Sequence, residues 1–518
     1  MAQLLPALLL GILSAFGFAP MGLWPLTLLA FAFLYLILSK ADRLWQAAAI
    51  GWLFGLGNFV LGLDWIAKAF TYQAAMPAWL GWVAVVALSF YLAVFPAIAT
   101  ASAWWATRRV NGGAVSLTLF FGASWAATEW LRGTIFTGFP WNPISVTILE
   151  LPFAFVSRTV GTYALSGLVV ASTGFMLILA TRPQQALTRR TILSAANIPA
   201  AIGLAILIGL YTTPALLNRF SPSAPPPMPT GPIVQLVQPD IGQGERFSPD
   251  LMARHLARLQ ALSGIPGAKP RLVLWPESAI EGNAQEDPAV RRQLASILGP
   301  HDVLLGGGEA AIRNAAGEEI AARNTVFAIG AGGVVLGEYD KAHLVPYGEY
   351  LPMRSVLSPL GLARLVPGDI DFKPGPGPRS IDLPGFGKVG MQLCYEMVFS
   401  GHVVDESNRP GFVFNPSNDA WFGGSGPPQH LAQARLRAIE EGMPIVRATP
   451  TGISAIVDAD GRILKSLPQG SMGMMALPMP AALPPTLFAH LGNWAVLLIA
   501  LLLGGVAFAA RTYKENFI

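Results

Sequence analysis

The sequence holds one cysteine in 518 residues, and only 12% of its residues are charged against 53% hydrophobic. A lone thiol, Cys394, excludes an intramolecular disulfide. No partners with metal-ligand spacing surround it, so a cysteine-built metal centre is not offered either. The scarcity of charge, with a mean hydropathy of +0.49, is foreign to a soluble protein and suggests a polytopic membrane protein. The net charge of +4 sits largely in short loops without a basic stripe, which gives no support for a nucleic-acid partner. No inverted repeat or matching pair of broken helices is present, which weakens a transporter reading. Leu4 to Pro20 follows the uncharged MAQ and leads straight into further apolar runs, so it is read as a retained helix rather than a signal peptide.

What is present falls into contrasting parts. Apolar runs near 4–20, 22–39, 44–67, 78–106, 114–131, 153–181 and 193–217 are mostly near the ~20 residues that span a bilayer, and 491–510 is apolar again. Lys40 and Arg43, Arg108 and Arg109, Arg182, Arg189 and Arg190, and Arg511 and Lys514 follow the even-numbered runs. The excess of basic residues in cytoplasmic loops then predicts eight spans, both termini cytoplasmic and an extracytoplasmic globular part. The expected domains are a bundle over 1–218, a proline-rich linker over 219–232, a catalytic domain over 233–485, and a last helix with its tail over 486–518. Glu129 and Arg132, before the broken aromatic run Thr137 to Pro143, are read as a structural pair at the outer interface, with substrate entry as the second reading.

Within 233–485, strand-like runs alternate with helical ones: Ile233–Gln238, Leu272–Trp275, Val303–Leu305, Thr325–Ile329, Val334–Tyr339, Val389–Leu393, Phe412–Phe414, Ile445–Ala448 and Ile453–Asp458. Helices are expected near Leu251–Leu262, Ala289–Leu298, Val398–Asp405 and Pro428–Glu441. The order predicts a layered α/β domain around a central sheet. Residues 353–380 break the rhythm with an apolar, proline-containing loop, either a lid that touches lipid or a loop folded onto its own domain.

Three strand ends carry polar groups: LVLWPE ends on Glu277, GEYDKAHLVP carries Lys341, and KVGMQLCYE delivers Cys394. Alone, Glu277 and Lys341 read as ordinary solvated loop residues, and Cys394 reads equally well as a small buried hydrophobe or a nucleophile. Together, WPES with Glu277, YDKAHLVPYGEY with Lys341 and Glu349, and QLCYE with Cys394 resemble the Glu-Lys-Cys triad of the nitrilase (carbon–nitrogen hydrolase) superfamily. The likeness extends through NPSNDAWFG, residues 415–423, which includes Trp421. With EWLRGTIFTGFPWN from Glu129 to Asn142, the whole chain resembles the apolipoprotein N-acyltransferase family of bacterial inner-membrane enzymes. Phe247 stands where that family often carries Trp.

The resemblance implies an α-β-β-α nitrilase-like domain on the periplasmic side of the inner membrane. It implies a phospholipid acyl donor, phosphatidylethanolamine by that likeness, a diacylglyceryl apolipoprotein acceptor, and neither metal nor cofactor. It implies catalytic roles for Glu277, Lys341 and Cys394, and supporting or binding roles for Glu349, Tyr395, Glu396, Trp421 and Phe247. The chemistry suits the residue types: a thiol needs a base or a lowered pKa to attack an ester, Glu277 can take its proton, and Lys341 can favour developing negative charge. Nothing in the sequence demands a partner subunit, so a monomer is expected. Two other readings share these residues: a membrane-tethered amidase that passes its acyl group to water, and a non-catalytic lipoprotein-binding protein. The apolar bundle argues against the first, and the three triad residues together argue against the second.

Overall fold

The computed structural model describes residues 3–72, 77–180, 231–246, 248–360 and 371–512. The expected seventh span, most of the linker, Phe247 and residues 361–370 of the apolar loop lie outside them. The chain divides into two compact units, Met1–Asp64 with Trp82–Ser223 and Thr486–Ile518, and Trp65–Gly81 with Ala224–Pro485.

The first unit is helical. Leu44–Gly62, Leu80–Arg109 and Pro152–Ala180 are long and apolar enough to cross a membrane, and Leu4–Ala15, Trp24–Ser39 and Trp494–Ala509 are shorter apolar helices. The Leu80–Arg109 stretch is two helices, Leu80–Leu92 and Val94–Arg109, meeting at Ala93. Without a hydrophobic drive between helices in lipid, small residues set how closely they approach. Gly11 shows it: a Cβ there would lie 2.0 Å from the Phe54 carbonyl oxygen. Glu129 and Arg132 are buried and 3.7 Å apart. Each also fastens the aromatic run that follows. Arg132 Nη1 donates to the carbonyls of Phe139 and Trp141, both at 2.8 Å, and Glu129 Oε1 accepts from the Ile144 N–H at 3.1 Å.

The second unit is built on two six-stranded sheets. One runs β12-β1-β2-β3-β4-β5 and the other β11-β10-β9-β8-β7-β6. Their ranges are β1 Ile233–Gln238, β2 Arg271–Leu274, β3 Val303–Arg313, β4 Glu319–Gly330, β5 Val335–Asp340, β6 Arg379–Leu383, β7 Gly387–Met391, β8 Phe412–Pro416, β9 Ile445–Ala448, β10 Ser454–Val457, β11 Ile463–Leu467 and β12 Gly473–Pro478. β1, β2 and β3 are parallel, as are β7, β8 and β9, and antiparallel strands flank each trio.

Side-chain alternation sorts the strands into layers. Leu236, Leu272, Leu274, Leu305, Val389, Met391, Phe414 and Val446 meet in one core between the sheets. Val237, Val273, Leu304 and Phe327 face the other way, onto Leu259 of the helix Met252–Ser263 and Leu294 of the helix Pro288–Leu294. On the far side Val413, Ile445 and Ala455 pack on Leu431, Ala434 and Ala438 of the helix Gly426–Glu441. The result is the four-layer α-β-β-α arrangement, with the parallel strands covered on both faces as their continuous apolar runs require. The helix expected near Val398–Asp405 does not form. A 3-10 turn, Cys394–Val398, takes its place, and Gly401 at φ +74° turns the chain out of any helix.

Candidate active site

Three strand ends converge, and local sequence explains each. β2 runs into Trp275, whose indole N–H donates to Ser263 Oγ at 2.9 Å, and Pro276 then ends the ladder so that Glu277 leaves the sheet. The turn lies tight against β3. A Cβ at Gly307 would sit 2.5 Å from the Ser278 nitrogen and 2.7 Å from the Glu277 Cα, so only glycine lets the base approach this way. Lys341 follows β5, with its N–H donating to the Asn324 carbonyl and its carbonyl accepting from the Gly375 N–H, both at 2.8 Å. Cys394 lies just past β7 at φ +48°, a left-handed conformation that a non-glycine residue keeps only where its surroundings hold it.

The side chains meet out of water. Glu277, Lys341, Glu349 and Cys394 are 6%, 1%, 5% and 4% exposed, so each charge must be paired. Lys341 Nζ is 3.0 Å from Glu349 and 3.4 Å from Glu277 Oε1. Asn324, on β4, donates from Nδ2 to Glu277 Oε1 and Glu349 Oε1, both at 2.8 Å. Glu349 also accepts from the Val345 N–H at 2.8 Å. One amide and one ammonium thus hold two carboxylates in fixed orientation.

Charge states follow. Burial works against the Lys341 ammonium, but the carboxylates of Glu349 and Glu277 outweigh it and push its pKa above the usual lysine range. Lys341 stays a cation and cannot serve as a base. The Cys394 thiol is pushed well above its ordinary value, first by burial and then by the Glu277 charge; Lys341 and the Asn418 backbone N–H act the other way. The resting group is therefore a thiol that hands over its proton on attack, not a preformed thiolate.

The remaining expected residues are distributed around this centre. The second carboxylate acting on the thiol is Asp419. Glu396 braces the backbone, accepting from the Ala342, His343 and Leu393 N–H groups at 2.7, 3.0 and 2.7 Å and from the Tyr339 hydroxyl at 3.0 Å. It ties the Lys341 turn to the Cys394 turn, and burial pushes its pKa up to about 7 against those N–H groups and Lys341. Tyr395 is buried against Phe399 and His343, with ring centroids 5.1 and 5.9 Å away. Trp421 is half-buried, its ring edge-on to Tyr72 at 5.8 Å.

Comparison with known proteins gives this geometry a family. Residues 10–175 match the apolipoprotein N-acyltransferase N-terminal domain, and residues 233–482 match the carbon-nitrogen hydrolase domain. The chain is 34% identical to the apolipoprotein N-acyltransferase of Rhodopseudomonas palustris, over 96% of this chain and 93% of that protein. It is 35% identical to that of Bradyrhizobium diazoefficiens over the same shares. The chain belongs to the apolipoprotein N-acyltransferase family. It is accordingly an acyltransferase built on a carbon-nitrogen hydrolase domain, which agrees with the resemblance seen in the motifs.

Several residues of this acyltransferase escape sequence reasoning. Asn324 sits mid-strand in EIAARNTVFAIG with no motif around it. Arg246 donates to the Ser278 carbonyl at 2.7 Å. With the Asn418 amide turned to satisfy its neighbours, Arg246 also reaches its oxygen at 2.8 Å and the Trp421 indole N–H reaches it at 3.1 Å. Behind Cys394 lies a wholly buried set. Arg447 donates to Asn415 Oδ1 and Asp419 Oδ1, both at 2.5 Å, to Ser417 Oγ at 2.9 Å and to His430 Nδ1 at 2.9 Å. His430 Nε2 is 3.1 Å from the Cys394 carbonyl oxygen. A carbonyl can only accept, so the imidazole proton is on Nε2. Burial and the Arg447 charge hold the pKa of His430 below its ordinary value, in keeping with a neutral ring.

Proposed function

We propose that Cys394 carries a fatty acyl chain as a thioester between a phospholipid and the α-amine of a diacylglyceryl-cysteine lipoprotein. The observation that carries this reading is a solitary thiol, buried in a left-handed turn beside a carboxylate and a permanent cation. Sγ attacks the acyl ester carbonyl while Glu277 takes its proton. Lys341 and the Asn418 N–H stabilise the tetrahedral oxyanion, where one such donor is worth roughly 3–4 kcal/mol. The ester C–O bond breaks, Glu277 returns the proton to the departing alkoxide, and the lysophospholipid leaves. The neutral amine then attacks the thioester carbonyl, Glu277 accepts its proton, the C–S bond breaks, and the thiol is reprotonated as the amide forms. Glu349 and Asn324 keep Glu277 and Lys341 oriented. Tyr395 and Trp421 contribute to the walls that bind substrate, and the family resemblance gives Phe247 a supporting role.

The topology in this reading has eight spans, both termini in the cytoplasm and the catalytic domain in the periplasm. The bundle covers 1–218, the linker 219–232, the catalytic domain 233–485 and the last helix and tail 486–518. A monomer suffices, with phosphatidylethanolamine as donor. The apolar helices and the exposed side chains of Met353 (66%) and Val356 (57%) support lipidic substrates. In purified protein, Glu277→Gln should abolish acylation by phospholipid, and acyl groups on the wild type should pass to a diacylglyceryl-cysteine peptide faster than to water. Prompt loss to water with no peptide product would replace acyl transfer by the amidase reaction.

A further inference from the structure

The proposed chemistry uses the Cys394 side chain, but the unusual feature of this residue is its backbone. A non-glycine residue at φ +48° is strained. Such strain persists only where neighbouring bonds over-determine the conformation. The carbonyl of Cys394 is where the bonds converge. His430 Nε2 donates to it at 3.1 Å and Asn415 Nδ2 reaches it at 3.4 Å while also donating to the Gln392 carbonyl at 2.6 Å. Fixing that oxygen fixes ψ of the residue that bears the thiol.

The His430 ring packs edge-on to Phe422, with centroids 5.7 Å apart, and its polar atoms meet the buried ions around it. Arg447 donates to its Nδ1 at 2.9 Å, and Asp419, the partner of Arg447, lies 3.2 Å from the same nitrogen. All three are buried, His430 and Arg447 completely. The same guanidinium holds Ser417 and Asp419, which bracket Asn418, the residue whose N–H meets the thiol. A single network thus fixes both the nucleophile's backbone and the donor opposite its sulfur.

We propose that His430, held as the Nε2–H tautomer by the Arg447 donor on its Nδ1, is a positioning residue for acyl transfer that holds the Cys394 carbonyl so that the thiol stays in its attacking orientation. It touches no substrate. The inference rests on the reading of Cys394 as nucleophile, and its test separates the two. A Gln side chain places its amide nitrogen near the position of Nε2 and keeps the donor, whereas Asn places it near Nδ1 and leaves the Cys394 carbonyl without it.

The test compares wild type, His430→Gln, His430→Asn and Cys394→Ala, full length in detergent, by single-turnover acylation with phosphatidylethanolamine followed by intact mass. Alkylation of the one thiol by iodoacetamide is timed alongside, and thermal melting checks folding. His430→Asn should slow acylation by about 10- to 100-fold, the loss a misplaced reacting group brings, with the phospholipid concentration for half-maximal rate changed less than about twofold. His430→Gln should stay within about fivefold of wild type by the same reasoning. Equal rates for Asn and Gln, whether both fast or both slow in folded protein, overturn the assignment. So does a loss confined to lipid affinity. If His430→Asn does not fold, His430→Gln decides against wild type: a rate within that fivefold supports the role and a greater loss refutes it. Acylation undiminished in Cys394→Ala overturns the nucleophile itself, an outcome distinct from every one above.

Discussion

Lys341→Met deletes an ammonium while nearly preserving the side chain's length and bulk. In the wild type, Nζ lies 3.4 Å from Glu277 and 3.0 Å from Glu349, and Asn324 bonds both carboxylates. Removing one partner of a buried ion pair costs about 3–5 kcal/mol when a charge is left stranded. Here two carboxylates are stranded together, so the folded site is destabilised. The oxyanion also loses a donor worth about 3–4 kcal/mol, which alone is a factor of roughly 10²–10³ in rate. Lys341→Met should therefore acylate at least about 100-fold more slowly than wild type in a single-turnover mass assay. The double variant Lys341→Met/Glu349→Gln removes the surplus carboxylate. It should melt at a higher temperature than Lys341→Met, followed by tryptophan fluorescence, yet remain as slow. Acylation by Lys341→Met within tenfold of wild type would refute the oxyanion role. A double variant that regained rate along with stability would reduce Lys341 to charge balance.

Two other perturbations probe the supports of the site. Gly307→Ala places a Cβ against the Ser278 nitrogen and Glu277 Cα, so acylation should fall by about 10²-fold, the scale of an ångström's misplacement, and a rate equal to wild type would show that the turn can yield. Glu396 has its pKa raised from the ordinary carboxyl value of 4.5 to about 7, so the folded protein binds its proton more tightly than the unfolded chain does. The stability this confers is complete below about 4.5 and is lost as pH rises through about 7, a change of at most about 3 kcal/mol. Glu396→Gln should shrink the fall in melting temperature between pH 5 and 8, and an identical fall in both proteins would contradict the assignment.

The strand cores were legible because burial on both faces writes continuous apolar runs, as in β2 and β8, and the motif residues stand at the ends of such runs. The three strands not foreseen, β6, β11 and β12, are all sheet edges. Edge strands are held by one neighbour and carry residues such as Asp382, Lys465 and Gly473 that break the pattern. Glu277, Lys341, Glu349 and Cys394 were legible through sequence motifs, and the fold brings them together. Asn324, His430 and Arg447 were not, because a polar residue inside a strand or helix has no local signature when its partners lie far along the chain. The left-handed turn at Cys394 was equally silent, since QLCYE does not contain the glycine that usually marks one.

The most direct test of the account is the intact mass of the full-length protein after exposure to phosphatidylethanolamine with no acceptor, beside Cys394→Ala. A thioester at Cys394 should give a fatty-acyl increment on the wild type, labile to hydroxylamine, and none on the variant. An increment of equal size on Cys394→Ala, or turnover to acylated peptide by that variant, would contradict it.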